Sequence, residues 1–284
     1  MIMDYSGKNT ISAVGDFVKG KIPTVSNPNL LINPDFSINQ RNNGGTVISG
    51  GTLKSFFIAD RWKIYNNNTS VSGRITRNDD GSFTLSMTKA YCDIGQAFET
   101  PIEEGYYTLS AKINGKIQTH TGYLAKGAQI TSNDQGLVLD ETSFRVRCLQ
   151  GQTVTVEWAK LEIGGSATPF SPPNPTIELI KCQRYYQVHN LARQRIWYYT
   201  ADTLVFFLPN KVPMRDGRTA TINGTLSITS MDNKSQPGFN FVVEWAIADG
   251  VKVRAEKTAH GLTDAILYVN GLPSSGQIEI EAEI

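Results

Sequence analysis

The sequence predicts an all-β protein of two antiparallel β-sandwich domains, with a short N-terminal helix and one helix opening the second domain. Three observations lead there. Apolar and polar residues alternate with a period of two in many short runs, separated by clusters of Gly, Asn, Asp and Pro. One break, GGSATPFSPPNP at 164–175, contains Pro169, Pro172, Pro173 and Pro175 and excludes a regular helix or a central strand. Finally, hydrophobic residues make up 40% of the 284 and charged residues only 19%. That is enough for a core, but the polar surface must come mostly from Asn, Thr, Ser, Gln and Gly, as in many β-rich proteins.

The first element is residues 1–27. Ile11, Val14, Val18 and Ile22 recur at helical spacing, with Asn9 or Thr10 placed to cap the start. Gly15, Gly20 and Pro23 hold this helix to about three turns, too short to be stable unless it lies on its own body or on a partner. On a partner it would be an attachment or oligomerisation segment.

Residues 28–170 read as a run of strands. VSGRITRNDDGSFTLSMT is a hairpin, with Val71, Gly73 and Ile75 on one arm, Phe83, Leu85 and Met87 on the other, and NDDG as the turn. Tyr107, Leu109, Ala111 and Ile113 alternate next, then Phe144, Val146 and Cys148. TVTVEWAKLEI alternates through Val154, Val156 and Trp158, then changes parity to Leu161 and Ile163. The change implies a β-bulge near Ala159 or a strand buried on both faces.

The proline-rich break reads as a semi-rigid interdomain spacer. A helix over 176–187 follows, capped by Thr176, with Leu179, Ile180 and Tyr186 at helical spacing. Strands then resume through 284. In the last, Ile278, Ile280, Ala282 and Ile284 share one face and Glu279, Glu281 and Glu283 the other.

Composition also excludes function classes. A net charge of +1 offers no field for nucleic acid or anionic lipid. No apolar run reaches membrane-spanning length. The start MIMDYSGKNTISAVG lacks the basic and apolar regions of a secretory signal. Cys92, Cys148 and Cys182 fit no zinc or redox spacing, and their odd number argues against a disulfide framework. They read as buried free thiols of a protein folded in a reducing cytoplasm.

Five strings occur in order: NLLINPDFSINQR (29–41), IADRW (58–62), KLEIGGSATPF (160–170), CQRYYQ (182–187) and VPMR (212–215). Together they resemble the distal tail proteins of tailed bacteriophages: tail fibres, tail spikes and receptor-binding proteins. The resemblance implies that 28–170 is a jelly roll like a carbohydrate-binding module and that 176–284 is a β-rich receptor-binding tip. It implies a homotrimer in the virion tail, folded in the host cytoplasm, that binds bacterial surface polysaccharide and meets other tail or baseplate proteins through its N-terminal segment. A structural calcium between early and late strands is a further implication, with Asn33, Asp35 and Glu162 as candidate oxygens. The residues after Arg215 match no motif.

No enzyme motif is present: there is no G-x-S-x-G, no H-E-x-x-H and no P-loop. The acid pairs Asp79-Asp80, Glu103-Glu104 and Asp140-Glu141 stand in turn-like contexts, where carboxylates are usually solvated. A depolymerase needs two carboxylates flanking a glycosidic bond, and no cofactor is implied. Sugar binding asks for less: exposed aromatic faces and polar groups for hydroxyls. Trp62 and Tyr65, beside Asn66 to Asn68, are candidates, although Trp62 reads better as core. RIWYYTADT is the stronger one. Trp197 and Tyr199 alternate against Tyr198, with His189 and Arg195 as polar neighbours; core or subunit interface is the competing reading. Trp158 and Trp245 read as core. Three roles follow: a glycan-binding tail tip, a structural virion protein without receptor binding, or, least favoured, a polysaccharide depolymerase.

Overall fold

A computed structural model describes residues 26–42, 45–49, 56–65, 71–134, 136–191, 193–216, 218–224, 226–230, 235–262, 267–270 and 276–283. The helix expected near the N-terminus lies outside the described residues. Among the described residues the fold is two antiparallel β-sandwiches and one helix.

The first sandwich packs two six-stranded sheets. One runs in the order β1 (Gly45–Ser49), β4 (Ser72–Arg77), β5 (Phe83–Lys89), β12 (Thr153–Ile163), β7 (Gly105–Ile113) and β8 (Lys116–Leu124). The other runs β2 (Phe57–Ala59), β3 (Trp62–Tyr65), β6 (Cys92–Ala97), β11 (Ser143–Cys148), β10 (Leu137–Asp140) and β9 (Gln129–Thr131). The chain crosses repeatedly between the sheets, as in a jelly roll. The alternating residues Phe83, Leu85, Met87, Leu109, Ala111, Phe144 and Val146 all enter the core between the sheets. The centre is aromatic: Phe36 meets Trp62 edge-on at 4.9 Å and Phe83 at 5.2 Å. Gly73 is required by packing, since a Cβ there would come within 2.5 Å of the Ser86 carbonyl oxygen.

Strand β12 realises both readings of its changing parity. Its register shifts between Val156 and Trp158, which brings Ala159 and Leu161 onto the core face beside Val154 and Val156. Beyond the shift the outer face is buried too, with Lys160 and Glu162 out of solvent. What covers them is the expected spacer. The Thr168 amide and hydroxyl donate to Glu162 at 2.7 and 2.9 Å. The Lys160 ammonium pairs with Glu162 and donates to Ser26 Oγ and to the carbonyls of Thr168 and Pro169. Phe170 stacks on Trp158 at 4.4 Å, so Trp158 is half-buried under the segment rather than in the core. Residues 164–170 are therefore a strap fastened to the first sandwich, not an open spacer. A proline-rich sequence gives no sign of this, because the fastening groups lie on β12.

Helix α1 (Pro175–Gln183) follows. Asn174, not Thr176, caps it by accepting from the amides of Thr176 and Ile177, and Pro175 takes the first helical position. The helix ends at Gln183, and Tyr186 belongs to the next strand. Its buried face carries Glu178, Cys182 and Gln183, while Ile177 and Ile180 face solvent. Of the expected apolar positions Ile180 faces solvent, Leu179 is half-buried and Tyr186 lies buried in the next strand, so the helix's buried face is largely polar.

The second sandwich packs a three-stranded sheet, β13 (Tyr186–Asn190), β22 (Gln277–Glu281) and β16 (Thr219–Asn223), against a seven-stranded one. The larger sheet runs β18 (Ser235–Gln236), β17 (Ser227–Ser230), β21 (Leu267–Asn270), β14 (Gln194–Thr200), β15 (Thr203–Pro209), β20 (Gly250–Glu256) and β19 (Asn240–Ile247). Ile278, Ile280 and Ala282 enter its core as their alternation requires. Among the described residues no helix is long and apolar enough to cross a membrane.

Candidate functional site

Four of the five sequence strings meet at the junction of the two sandwiches, while KLEIGGSATPF forms the end of β12 and the strap held on it. The Asp60-Arg61 turn between β2 and β3 holds Arg61 at φ +72°, a conformation that a residue with a Cβ seldom takes. Asn33 braces the turn: its amide group donates to the carbonyls of Ile38 and Asp60, and its Oδ1 accepts from the Ile38 amide. Trp62 Nε1 donates to the Asn33 carbonyl at 2.8 Å. So placed, Arg61 crosses to the second sandwich. Its Nη1 reaches Glu283 at 2.5 Å, its Nη2 donates to the Ala97 carbonyl, and its guanidinium lies 3.7 Å over the Tyr185 ring.

Arg41 lies over Tyr186 and pairs with Asp60 and Glu283, each at 3.5 Å. Glu178 accepts the Asn33 amide, and Glu99 takes Arg184 and the Tyr185 hydroxyl. Arg215 donates to the Ala282 carbonyl. Burial is the largest influence on Asp60 and pushes its carboxyl up to about 6, against donation from Gln40 and the charge of Arg41. The junction is built from charges that are all partnered inside the protein. It joins the domains, and beside it Asn29, Lys160, Phe170, Glu178 and Lys181 line a pocket of about 360 Å³.

The candidates for sugar contact divide sharply. Trp62 is completely buried in the first core and is not available to any ligand. Tyr65 is half-buried beside Lys63, and burial raises its hydroxyl to about 12. Trp197, Tyr198 and Tyr199 are all exposed, at 47, 52 and 67%. Strict alternation would have hidden one face of this run, but two things prevent that. The register of β14 on β15 shifts between Tyr198 and Thr200, and Tyr198 sits beside His260 (rings 5.8 Å apart), where an open cleft is lined by Ala201, Ala259, Gly261 and Leu262. Arg195 is exposed on the same strand. His189 does not join this group. It lies on β13 of the other sheet, paired with the core residue Ile278, and is buried. Burial and the Lys211 charge lower it to about 4.

Register on the larger sheet aligns further aromatics with Trp197. Trp197 stands opposite Val205, Val205 opposite Arg254, and Arg254 opposite Val242. In the adjacent row Phe207 stands opposite Lys252 and Lys252 opposite Trp245. Phe207 and Trp245 lie 5.6 Å apart between ring centres and are both exposed. Trp245, expected in the core, is turned out by a register shift between Val243 and Trp245. Trp197, Val205, Phe207, Trp245 and Lys252 line a cleft of about 350 Å³. Its charges are internally paired: Glu244 takes Lys252 at 3.0 Å and Arg254 at 3.8 Å, and Glu256 takes Arg254 at 3.4 Å. Sequence reasoning found Trp197 and missed Phe207 and Trp245. A count of alternation on TLVFFLP and NFVVEWAI shows two faces without saying which is outer, and the bulge reverses the answer for Trp245.

The three residues expected as calcium ligands each bond within the protein. Asn33 Oδ1 accepts the Ile38 amide, Asp35 Oδ1 accepts the Ser37 amide, and Glu162 is taken by Lys160 and Thr168, so the three oxygens point to different protein donors. Among the described residues no three His, Cys, Asp or Glu side chains are grouped to hold a metal. Of the acid pairs, Asp79-Asp80 lies in a turn, Asp140 ends β10 with Glu141 in the turn after it, and Glu103-Glu104 lies in the connection before β7; Asp80 accepts from Ser82, Asp140 from Thr142 and Arg145, and Glu141 from the Gly127 amide.

No family model and no curated protein matches the chain. Among solved structures, the N-terminal CBM22-1-CBM22-2 tandem domain of Xyn10C from Paenibacillus barcinonensis aligns at 10% identity. That alignment covers 91% of this chain and 98% of the other, with a TM-score of 0.11, a level that does not establish a common fold.

Proposed function

We propose that this chain is a non-catalytic recognition protein of a phage tail, binding a bacterial surface glycan through the outer aromatic face of its second sandwich. The observation that carries the reading is the cluster of Trp197, Phe207 and Trp245, three large rings left in solvent on one side of a well-packed sheet. Exposed flat rings beside charged side chains suit the C–H face and hydroxyl rim of a sugar. The tail setting rests on the resemblance carried by the ordered strings at 29–215. A shallow cleft gives weak single-site binding. Assembly as a homotrimer would multiply it through effective concentration.

The test is binding of purified host-surface polysaccharide to immobilised full-length protein. Trp197→Ala and Trp245→Ala should each weaken binding about tenfold, equivalent to the ~1.4 kcal/mol expected for one aromatic contact, without lowering the melting temperature. Unchanged binding in both variants would refute the assignment. Loss of assembly in place of loss of binding would favour the structural-protein reading, with this face as a subunit contact.

A further inference from the structure

We infer that the cleft on the larger sheet takes an uncharged sugar that presents a methyl group to the rings, as a 6-deoxyhexose or an N-acetylhexosamine does. The inference rests on the glycan reading and narrows it. Two observations support it. The floor formed by Trp197, Val205, Phe207 and Trp245 exposes no polar atom. A hydroxymethyl group laid on it would bury its oxygen without a partner, whereas a methyl group would be buried at no such cost.

The charges at the edge point the same way. Lys252 and Arg254 balance Glu244 and Glu256, two of each sign, and each is held by another at 3.0 to 3.8 Å. An acidic sugar would have to break Lys252 or Arg254 away from Glu244 while still facing that carboxylate. A neutral sugar leaves the network whole and meets it only through hydroxyls at the rim. The volume, about 350 Å³, lies at the small end of ligand sites and suits one or two sugar rings rather than a long chain.

The experiment is calorimetric titration of the full-length protein with matched pairs of methyl glycosides: 6-deoxyhexoses against their parent hexoses, N-acetylhexosamines against theirs, and uronic acids as the charged arm. One of the two methyl-bearing series should bind at least tenfold more tightly than its parents, and which series does so identifies the source of the methyl group. Trp245→Ala, with Trp245→Leu as a variant that keeps an apolar strand residue, should abolish that preference. Raising salt from 50 to 500 mM should leave the affinity unchanged. Parent hexoses binding as tightly as their methyl-bearing partners, with Trp197→Ala still weakening them, would overturn the inference and leave the glycan reading standing. Tightest binding by a uronic acid would do the same. Failure of every sugar to bind would overturn both.

Discussion

Replacing Glu283 by Ala tests whether the domain junction is held by its buried charges. The Glu283 carboxylate is 3% exposed and takes Arg61 Nη1 at 2.5 Å, the Arg61 amide at 3.3 Å and Arg41 at 3.5 Å. Arg61 is itself 3% exposed and, among the described residues, meets besides Glu283 the Ala97 carbonyl and the Tyr185 ring but no second carboxylate. Its Nε already lacks a partner. Breaking a buried pair from one side costs about 3–5 kcal/mol, because the other charge stays behind. Arg41 keeps Asp60 and Glu281, which places the expected loss near the lower end, about 3 kcal/mol. That is a large part of a domain's usual 5–15 kcal/mol. Urea unfolding followed by tryptophan emission and far-UV circular dichroism reads it. The midpoint should fall by roughly 1–3 M, and two transitions should appear where the parent shows one. The double change Arg61→Met with Glu283→Leu should recover most of the loss, since removing both charges removes the desolvation cost as well. A Glu283→Ala protein within about 0.5 kcal/mol of the parent would show the ion cluster to be incidental to the junction.

Three further outcomes follow from the same structure. Lys160→Ala should destabilise the first sandwich by about 3 kcal/mol by stranding Glu162, and Thr168→Val by about 1–2 kcal/mol; limited proteolysis at 164–173 should then quicken. For pH, His189 is held below its ordinary value, so its contribution is present above about 6.5 and lost as pH falls toward 4; Asp60 is held above its own, so its contribution is present below about 3.8 and lost as pH rises through 6. The stability gap between parent and His189→Gln should therefore shift against the parent on acidification from pH 7 to 4, and that between parent and Asp60→Asn on return to pH 7, each by on the order of 2–3 kcal/mol; flat gaps would contradict the burial of these groups. The three cysteines are buried and free, with burial pushing Cys92 to about 12, Cys148 to about 11 and Cys182 upward, so a thiol reagent at pH 8 should label the native protein slowly and all three groups after denaturation.

The strands were legible wherever one face was buried and the other wet. Leu109, Phe144 and Ile278 could be placed inward from period two alone. Helix α1 was found but misjudged at both ends, because Tyr186 continues the apolar spacing while Tyr185 and Tyr186 actually turn to receive Arg61 and Arg41. The strap was invisible, since only three-dimensional proximity tells that Thr168 serves Glu162. Trp245 was misplaced for a similar reason: one extra residue in an edge strand reverses a face, and a single sequence gives no mark of it. The strings that carried the resemblance pointed to the most recognisable residues, and those proved to be structural, four of them at the junction and one in the strap. The exposed rings lie where no motif was found.

The most direct test of the central claim is hydroxyl-radical footprinting of the full-length protein with and without its host-surface glycan. The exposed aromatics of both sandwiches serve as internal probes: Trp197, Phe207 and Trp245 on the second, Tyr91, Tyr106 and Tyr123 on the first. Binding at the proposed face protects the first three and leaves the tyrosines unchanged. Protection of Tyr91, Tyr106 or Tyr123 with no change at Trp197 and Trp245 would place recognition on the first sandwich and contradict the account.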